Sequence, residues 1–242
     1  MRPFGEAMDL DVDFGAADRP GLVTTVLSQC AGQGDPAFWW GQPVGERTTA
    51  LLQVVTLTVQ SDALPLTARC VANGCGESFE FELPWRTLPA GAPDAGPLHV
   101  HLADGRAVAM RRPTGRDLRE WRDVQLASRP SSREHALRLM LNSLVLTGEA
   151  RPDDESTLAD ALAAADPLVH FTVACRCPAC GAPNEVDVDL ETIALATLLA
   201  RQRTLLHDVH MLASNYGWTE PEVLAVPPAR RARYIALIED GR

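Results

Sequence analysis

Lysine is absent from the 242-residue chain, and all 22 basic residues are arginine. That bias carries no functional weight, but other absences do. The 32 acidic residues outnumber the basic ones and leave a net charge of −10 with a pI near 5.0. Phosphate backbones are bound by clustered positive faces, so this balance argues against a nucleic-acid partner. No run approaches the ~20 apolar residues that a membrane-spanning helix needs, so no membrane partner is expected. The amino-terminal residues lack a positive stretch, an apolar core and a small-residue cleavage site, so nothing directs the chain to an oxidising compartment. The cytoplasm of the producing cell is the expected location, and the six cysteines are expected as thiols or metal ligands rather than disulfides. Catalytic motifs are missing as well: there is no Gly-x-Ser-x-Gly, no His-Glu-x-x-His, no phosphate-binding loop and no dinucleotide fingerprint. The zinc-deaminase signature fails, because Pro178 follows the first cysteine of its turn and no His-x-Glu occurs. Neither an enzyme nor a small-molecule substrate is expected, and no catalytic residue is assigned.

What the sequence does contain is a pair of similar cysteine turns. Arg69-Cys70-Val71-Ala72-Asn73-Gly74-Cys75-Gly76 and Arg176-Cys177-Pro178-Ala179-Cys180-Gly181 lie about a hundred residues apart. Each reads Arg-Cys, a spacer, then Cys-Gly, and each leads into an alternating segment, Phe79 to Leu83 and Val186 to Leu190. A tight turn with two thiols presents both sulfurs to one tetrahedral ion, and glycine suits the positive φ often needed after the second ligand. Four thiolates complete the coordination of a structural zinc ion and leave no position for a substrate. Cys70, Cys75, Cys177 and Cys180 are therefore the expected ligands of one structural zinc per chain.

Alternatives stay open. Cys175 and Cys180 repeat the four-residue spacer of Cys70 and Cys75, so Cys175 competes with Cys177; the tighter turn and the matching Arg-Cys register favour Cys177. A metal-free set of reduced cysteines at strand ends is possible, because the halves of such a site usually lie within about 15–20 residues of each other. An open site of three cysteines with His99, His101 or His170 would suit a zinc-dependent hydrolase or transferase. Cys30 has no neighbouring partner and reads as a small buried residue.

Periodicity sets out the rest. Residues 1–20 carry Asp9, Asp11, Asp13 and Asp18 among apolar residues and read as a loosely ordered acidic arm or edge strand. Two helices are expected between Gly21 and Gln60, the second over Val44 to Val59, with Trp39-Trp40 in the linking turn as packing residues or a partner contact. Strands are expected at Leu64 to Ala68, Phe79 to Leu83, Leu98 to Leu102, Ala107 to Met110 and Val169 to Ala174, with a Pro/Gly-rich loop from Pro89 to Pro97. Asp104-Gly105 marks a hairpin. Thr114 or Asp117 caps a helix that breaks over Ser128 to Ser132, and helices follow over Ser132 to Leu146 and Leu158 to Ala165. A long helix is expected from Leu190 to Tyr216, a capping box at Thr219 and Glu222, and a last helix from Ala229 to Glu239. The pairs His99/His101 and His207/His210 each share a face, as strand or helix surface positions commonly do. The arginine clusters at 111–122, 201–203 and 230–233 read as solvated helix faces or as surfaces for acidic partners.

Together these give an α+β fold: a zinc-ribbon-like antiparallel β module with a helical N-terminal segment, a helical insertion and C-terminal helices. The expected segments are 1–60 (arm and helices), 61–110 (first half of the β module), 111–165 (insertion), 166–190 (second half) and 191–242 (C-terminal helices).

The order Asp166-Pro167, the Cys177–Gly181 turn, Leu205-Leu206-His207-Asp208-Val209-His210-Met211-Leu212-Ala213, Tyr216-Gly217-Trp218-Thr219-Glu220-Pro221-Glu222-Val223-Leu224-Ala225 and Arg230-Arg231-Ala232-Arg233-Tyr234 resembles the baseplate hub assembly chaperone-like proteins of contractile phage tails. Related proteins occur with phage-derived contractile injection systems. Arg111-Arg112-Pro113-Thr114-Gly115-Arg116-Asp117-Leu118 is similar to a stretch preceding helices in tail-assembly proteins. The resemblance covers residues 45–242, and the first cysteine turn departs from it by its four-residue spacer. It implies a non-enzymatic structural or assembly-chaperone component of a baseplate, whose partners are other tail proteins and whose place is the cytoplasm of the producing bacterium or an assembled tail-like particle. Trp218, Arg230, Arg231 and Tyr234 are hot-spot residue types that would meet such a partner, or that close the last helices on the core.

Overall fold

The computed structural model describes residues 1–32, 34–89, 96–128 and 133–240. In chain order its elements are α1 (Arg19–Cys30), α2 (Pro36–Gly41), α3 (Val44–Val59), β1 (Ala63–Arg69), β2 (Ser78–Pro84), β3 (Leu98–His101), β4 (Ala107–Met110), α4 (Gly115–Ser128), α5 (Arg133–Leu144), β5 (Val145–Thr147), α6 (Glu155–Ala165), β6 (Phe171–Arg176), β7 (Pro183–Val188), α7 (Leu190–Tyr216), α8 (Glu220–Ala225) and α9 (Pro228–Asp240). The expected α+β character holds. Residues 129–132 of the expected helix break and the middle of the Pro89–Pro97 loop lie outside the described residues.

The chain divides into two compact units, one of Met1–Pro36, Leu51–Gln60 and Glu191–Arg242, the other of Ala37–Ala50 and Ser61–Leu190. In the first unit the amino-terminal residues are not a loose arm. Phe4 and Val12 are buried, and a short 3-10 helix spans Ala7–Asp11. Asp9, fully buried, accepts from both terminal nitrogens of the Arg2 guanidinium at 2.6 and 2.9 Å and from the amides of Gly5 and Glu6. Gln202 of α7 donates its side-chain amide to the carbonyls of Asp9, Leu10 and Val12. Acidity at alternate positions misled the sequence reading, because Asp9 faces inward to an arginine seven residues earlier.

In the second unit, β1 and β2 form one antiparallel pair and β6 and β7 another. Strands β3, β4 and β5 make a separate three-stranded sheet. Val100, Val108 and Met110 of that sheet pack with Leu141, Leu144 and Leu158 from α5 and α6. The segment 98–110 thus belongs with the helical insertion, and β5 takes Val145 and Leu146, which periodicity places at the end of a helix, together with Thr147.

Buried polar groups hold the start of α3. The Gly45 amide donates to Asp166 Oδ2 at 3.0 Å, so a carboxylate 121 residues away satisfies one of the free amides of the first turn. A Cβ at Gly45 would collide with that carboxylate. Burial raises the Asp166 pKa, against the pull of the Gly45 amide and Arg112. Arg47 is fully buried and donates to the Trp39 carbonyl at 2.7 Å, and a Cβ at Gly115 would collide with its guanidinium. The Trp39-Trp40 pair lies on α2 rather than in an open turn: Trp39 is buried, and the guanidinium groups of Arg47 and Arg119 stand 5.4 and 5.0 Å from the Trp40 ring centre. Asp117 anchors α4, accepting from the Thr114 amide and hydroxyl and from both ends of the Arg111 guanidinium.

Candidate metal centre

Alternation along β1 and β2 buries one face of each strand and leaves the other exposed. The chain then has to reverse direction between Arg69 and Ser78, which are register partners. It does so through a knuckle: the Cys70 amide donates to the Glu77 carbonyl at 2.8 Å and the Cys75 amide to the Ala72 carbonyl at 3.1 Å. The second hairpin repeats the device between Arg176 and Pro183, with the Cys177 amide on the Ala182 carbonyl at 3.0 Å and the Gly181 amide on the Cys177 carbonyl at 2.9 Å. Gly76 and Gly181, each following a second cysteine, have φ of 64° and 73°, in the left-handed region that glycine enters without a Cβ penalty.

The arginine before each turn serves that same glycine. Arg69 Nε donates to the Gly76 carbonyl at 3.1 Å and Arg176 Nη1 to the Gly181 carbonyl at 3.2 Å. The repeated Arg-Cys…Cys-Gly pattern is therefore one closed loop built twice.

The two knuckles bring Cys70, Cys75, Cys177 and Cys180 together, with all four sulfurs within 4.8 Å of one another. Cys70 Sγ lies 3.6 Å from Cys180 Sγ, and Cys75 Sγ lies 3.8 Å from Cys177 Sγ. A tetrahedron of sulfurs about 2.3 Å from a central ion has edges of about 3.8 Å, so the donor set has the size of a four-thiolate site. These four thiols can hold a metal ion. Cys70 and Cys177 are buried, Cys75 is half-buried and Cys180 is exposed.

Cys175 is not one of the four. It sits on β6 opposite Asn184 and packs at the edge of the apolar cluster formed by Ala68, Cys70, Phe79 and Cys177. His99 and His101 share the exposed face of β3, and His170, His207 and His210 are exposed. Among the described residues the four thiols form the one cluster of metal-ligating groups.

Backbone dipoles also converge on the sulfurs. The Cys180 amide, opposed by burial and aided by the Ala179 amide, brings the Cys177 thiol down to about 7. At Cys75 the Glu77 amide lowers the pKa, but the surrounding thiols and burial outweigh it and raise the thiol to about 12. Amides donating to ligand sulfur are the outer-shell partners that orient metal-binding cysteines.

Sequence reasoning missed Asn184. This buried residue accepts the Val71 amide at 2.8 Å through Oδ1 and donates Nδ2 to the Ala182 carbonyl at 2.9 Å, tying the first knuckle to the second. The available signal was an amide at an inward position of β7, in register with Val186 and Val188.

The proposed partner residues lie in the first unit. The rings of Tyr216, Trp218 and Tyr234 meet pairwise with centres 5.2, 5.8 and 5.3 Å apart. Trp218 and Tyr234 are half-buried, flanking the small core of Met211, Leu212, Val223 and Ile238. Arg230 is exposed. Arg231 is 3% exposed, with Nε 3.5 Å from Asp208 Oδ2 on α7, so it closes α9 onto α7 and offers little surface. Glu222 accepts from the amide and hydroxyl of Thr219, both at 2.8 Å, at the start of α8.

No helix among the described residues is long and apolar enough to cross a membrane. No protein-family model, curated protein or solved structure matches the chain.

Proposed function

We propose that this chain is a non-enzymatic structural or assembly-chaperone component of a contractile tail or injection-system baseplate, stabilised by a structural zinc ion on Cys70, Cys75, Cys177 and Cys180. The observation that carries the metal half of this reading is the convergence of four sulfurs, and no other ligand type, from two like-built knuckles. A filled all-thiolate shell gives zinc a folding role and leaves no place for a substrate or a nucleophilic water, which weighs against a hydrolase or transferase. The ion would hold in register two hairpins that are each only two strands wide, a width that is marginal alone. The baseplate half is supported by the order of motifs from Asp166 to Tyr234 and by the aromatic trio, with Arg230 four residues before Tyr234 on α9.

Native mass spectrometry with X-ray absorption tests the metal. One zinc per chain in a four-sulfur shell, lost in Cys177→Ser, is expected; retention of the metal in that variant, or nitrogen in the shell, would overturn the site. Co-purification with tail proteins encoded beside this chain tests the role. Trp218→Ala with Arg230→Ala should weaken capture of a baseplate partner while helical circular dichroism is kept. Undiminished capture would remove the C-terminal surface from the proposal.

A further inference from the structure

The helical insertion of the second unit carries an apolar trough whose residues repeat at helical spacing. Ala136, Leu139, Met140 and Ser143 form one stripe of α5, and across from them Trp121 and Val124 project from α4 over a cleft of about 230 Å³. Trp121 and Met140 also wall a second cleft of about 480 Å³, which extends past Leu137 to Leu162 of α6 and to Val169. The floor is fixed: Trp121 Nε1 donates to Ser143 Oγ at 3.1 Å, and Leu141 and Leu144 beneath are core residues. The walls are not covered. Val124, Leu139 and Val169 are 47%, 46% and 47% exposed, and apolar side chains exposed together rather than singly mark interaction sites.

Charge identifies the occupant. Among the described residues, the ionisable groups lining the two clefts are Glu120, Asp160, Asp166 and His170, with no arginine. Glu120 and Asp160 are exposed, whereas Asp166 is buried and held by the Gly45 amide. We propose that the trough is a docking site for an amphipathic helix of a partner protein, with an apolar face bordered by arginine or lysine. Such a helix lays residues at i, i+3, i+4 and i+7 into a groove, and basic residues at its borders would meet Glu120 and Asp160. The 14 residues of α4 give a wall of about 20 Å, the length of three to four turns of a bound helix. A second copy of this chain is a poor occupant, because each copy carries a net charge of −10 and the two repel. The inference stands apart from the metal centre and from the baseplate reading.

The test is fluorescence anisotropy of the full chain with a labelled peptide of about 18 residues, leucine on one helical face and arginine at its borders, beside a counterpart with glutamate in place of arginine. The arginine peptide should bind at least about tenfold more tightly, and weaken as salt is raised. Val124→Asp with Leu139→Asp should cost about tenfold or more in affinity, whereas Leu237→Asp, at a site 64% exposed in the first unit, should cost nothing. Glu120→Gln with Asp160→Asn, which leaves the apolar walls intact, should remove the preference for arginine. Equal binding of the two peptides, or an equal loss in Leu237→Asp, would overturn the proposal. So would a dimer in sedimentation that Leu139→Asp dissociates, since a second copy would then be the occupant.

Discussion

At the residue scale, the strongest constraints come from small or polar side chains in places where nothing else fits. Gly45 has no room for a Cβ because the Asp166 carboxylate occupies that space. Gly45→Ala should therefore lower unfolding stability by about 1–3 kcal/mol, as overpacking does. In an Asp166→Ala background the same substitution should cost much less, and a double-mutant cycle in denaturant would show the coupling. Asn184→Ala should leave the Val71 amide without its acceptor, at a cost of about 1–3 kcal/mol, and should speed metal loss to a chelator. A third expectation concerns pH. Burial opposes ionisation of Asp9, but Arg2 and the Gly5 and Glu6 amides overcome it and hold its pKa below the ordinary value. A depressed acid contributes stability above its unfolded pKa of about 3.9 and loses it as pH falls through the lower folded value. Asp117, held down against burial by Arg111 and Thr114, acts in the same direction. Urea unfolding measured from about pH 5 downward should show stability falling, with a shallower fall in Asp9→Asn.

At the element scale, the two knuckles depend on each other. Among the described residues neither hairpin has a third strand, and their shared apolar cluster is small. Chelation should therefore unfold β1, β2, β6 and β7 while most helical circular dichroism remains, and limited proteolysis should then cut near the two cysteine turns. How much of this was legible followed the range of the interaction. Helix α3 and helix α7 were read to their observed ends, because apolar spacing and flanking turn residues are local signals. The four-thiol cluster was legible because its cysteines come in local pairs that differ from everything around them. Asn184, Arg47 and the Asp9–Gln202 network were not, since a buried polar residue declares its partner only in three dimensions. Asp9 and Gln202 lie 193 positions apart, and no periodicity in either segment points to the other. Strand β5 escaped notice because three residues after a helix carry too little alternation to compete with the apolar stripe before them.

At the scale of the whole molecule, long-range ties recur. Residues near the amino terminus are held by α7, the start of α3 is held by Asp166, and the knuckles join residues 102 and 110 positions apart. The last of these has a consequence for how the chain is made. Cys70 and Cys75 leave the ribosome as a half-site long before Cys177 and Cys180 exist. At about 5–20 residues per second, the gap is roughly 5–20 s. The nascent chain spends that interval with two unsatisfied thiols, so metal supply and oxidant exposure during translation should decide the yield of correctly joined molecules.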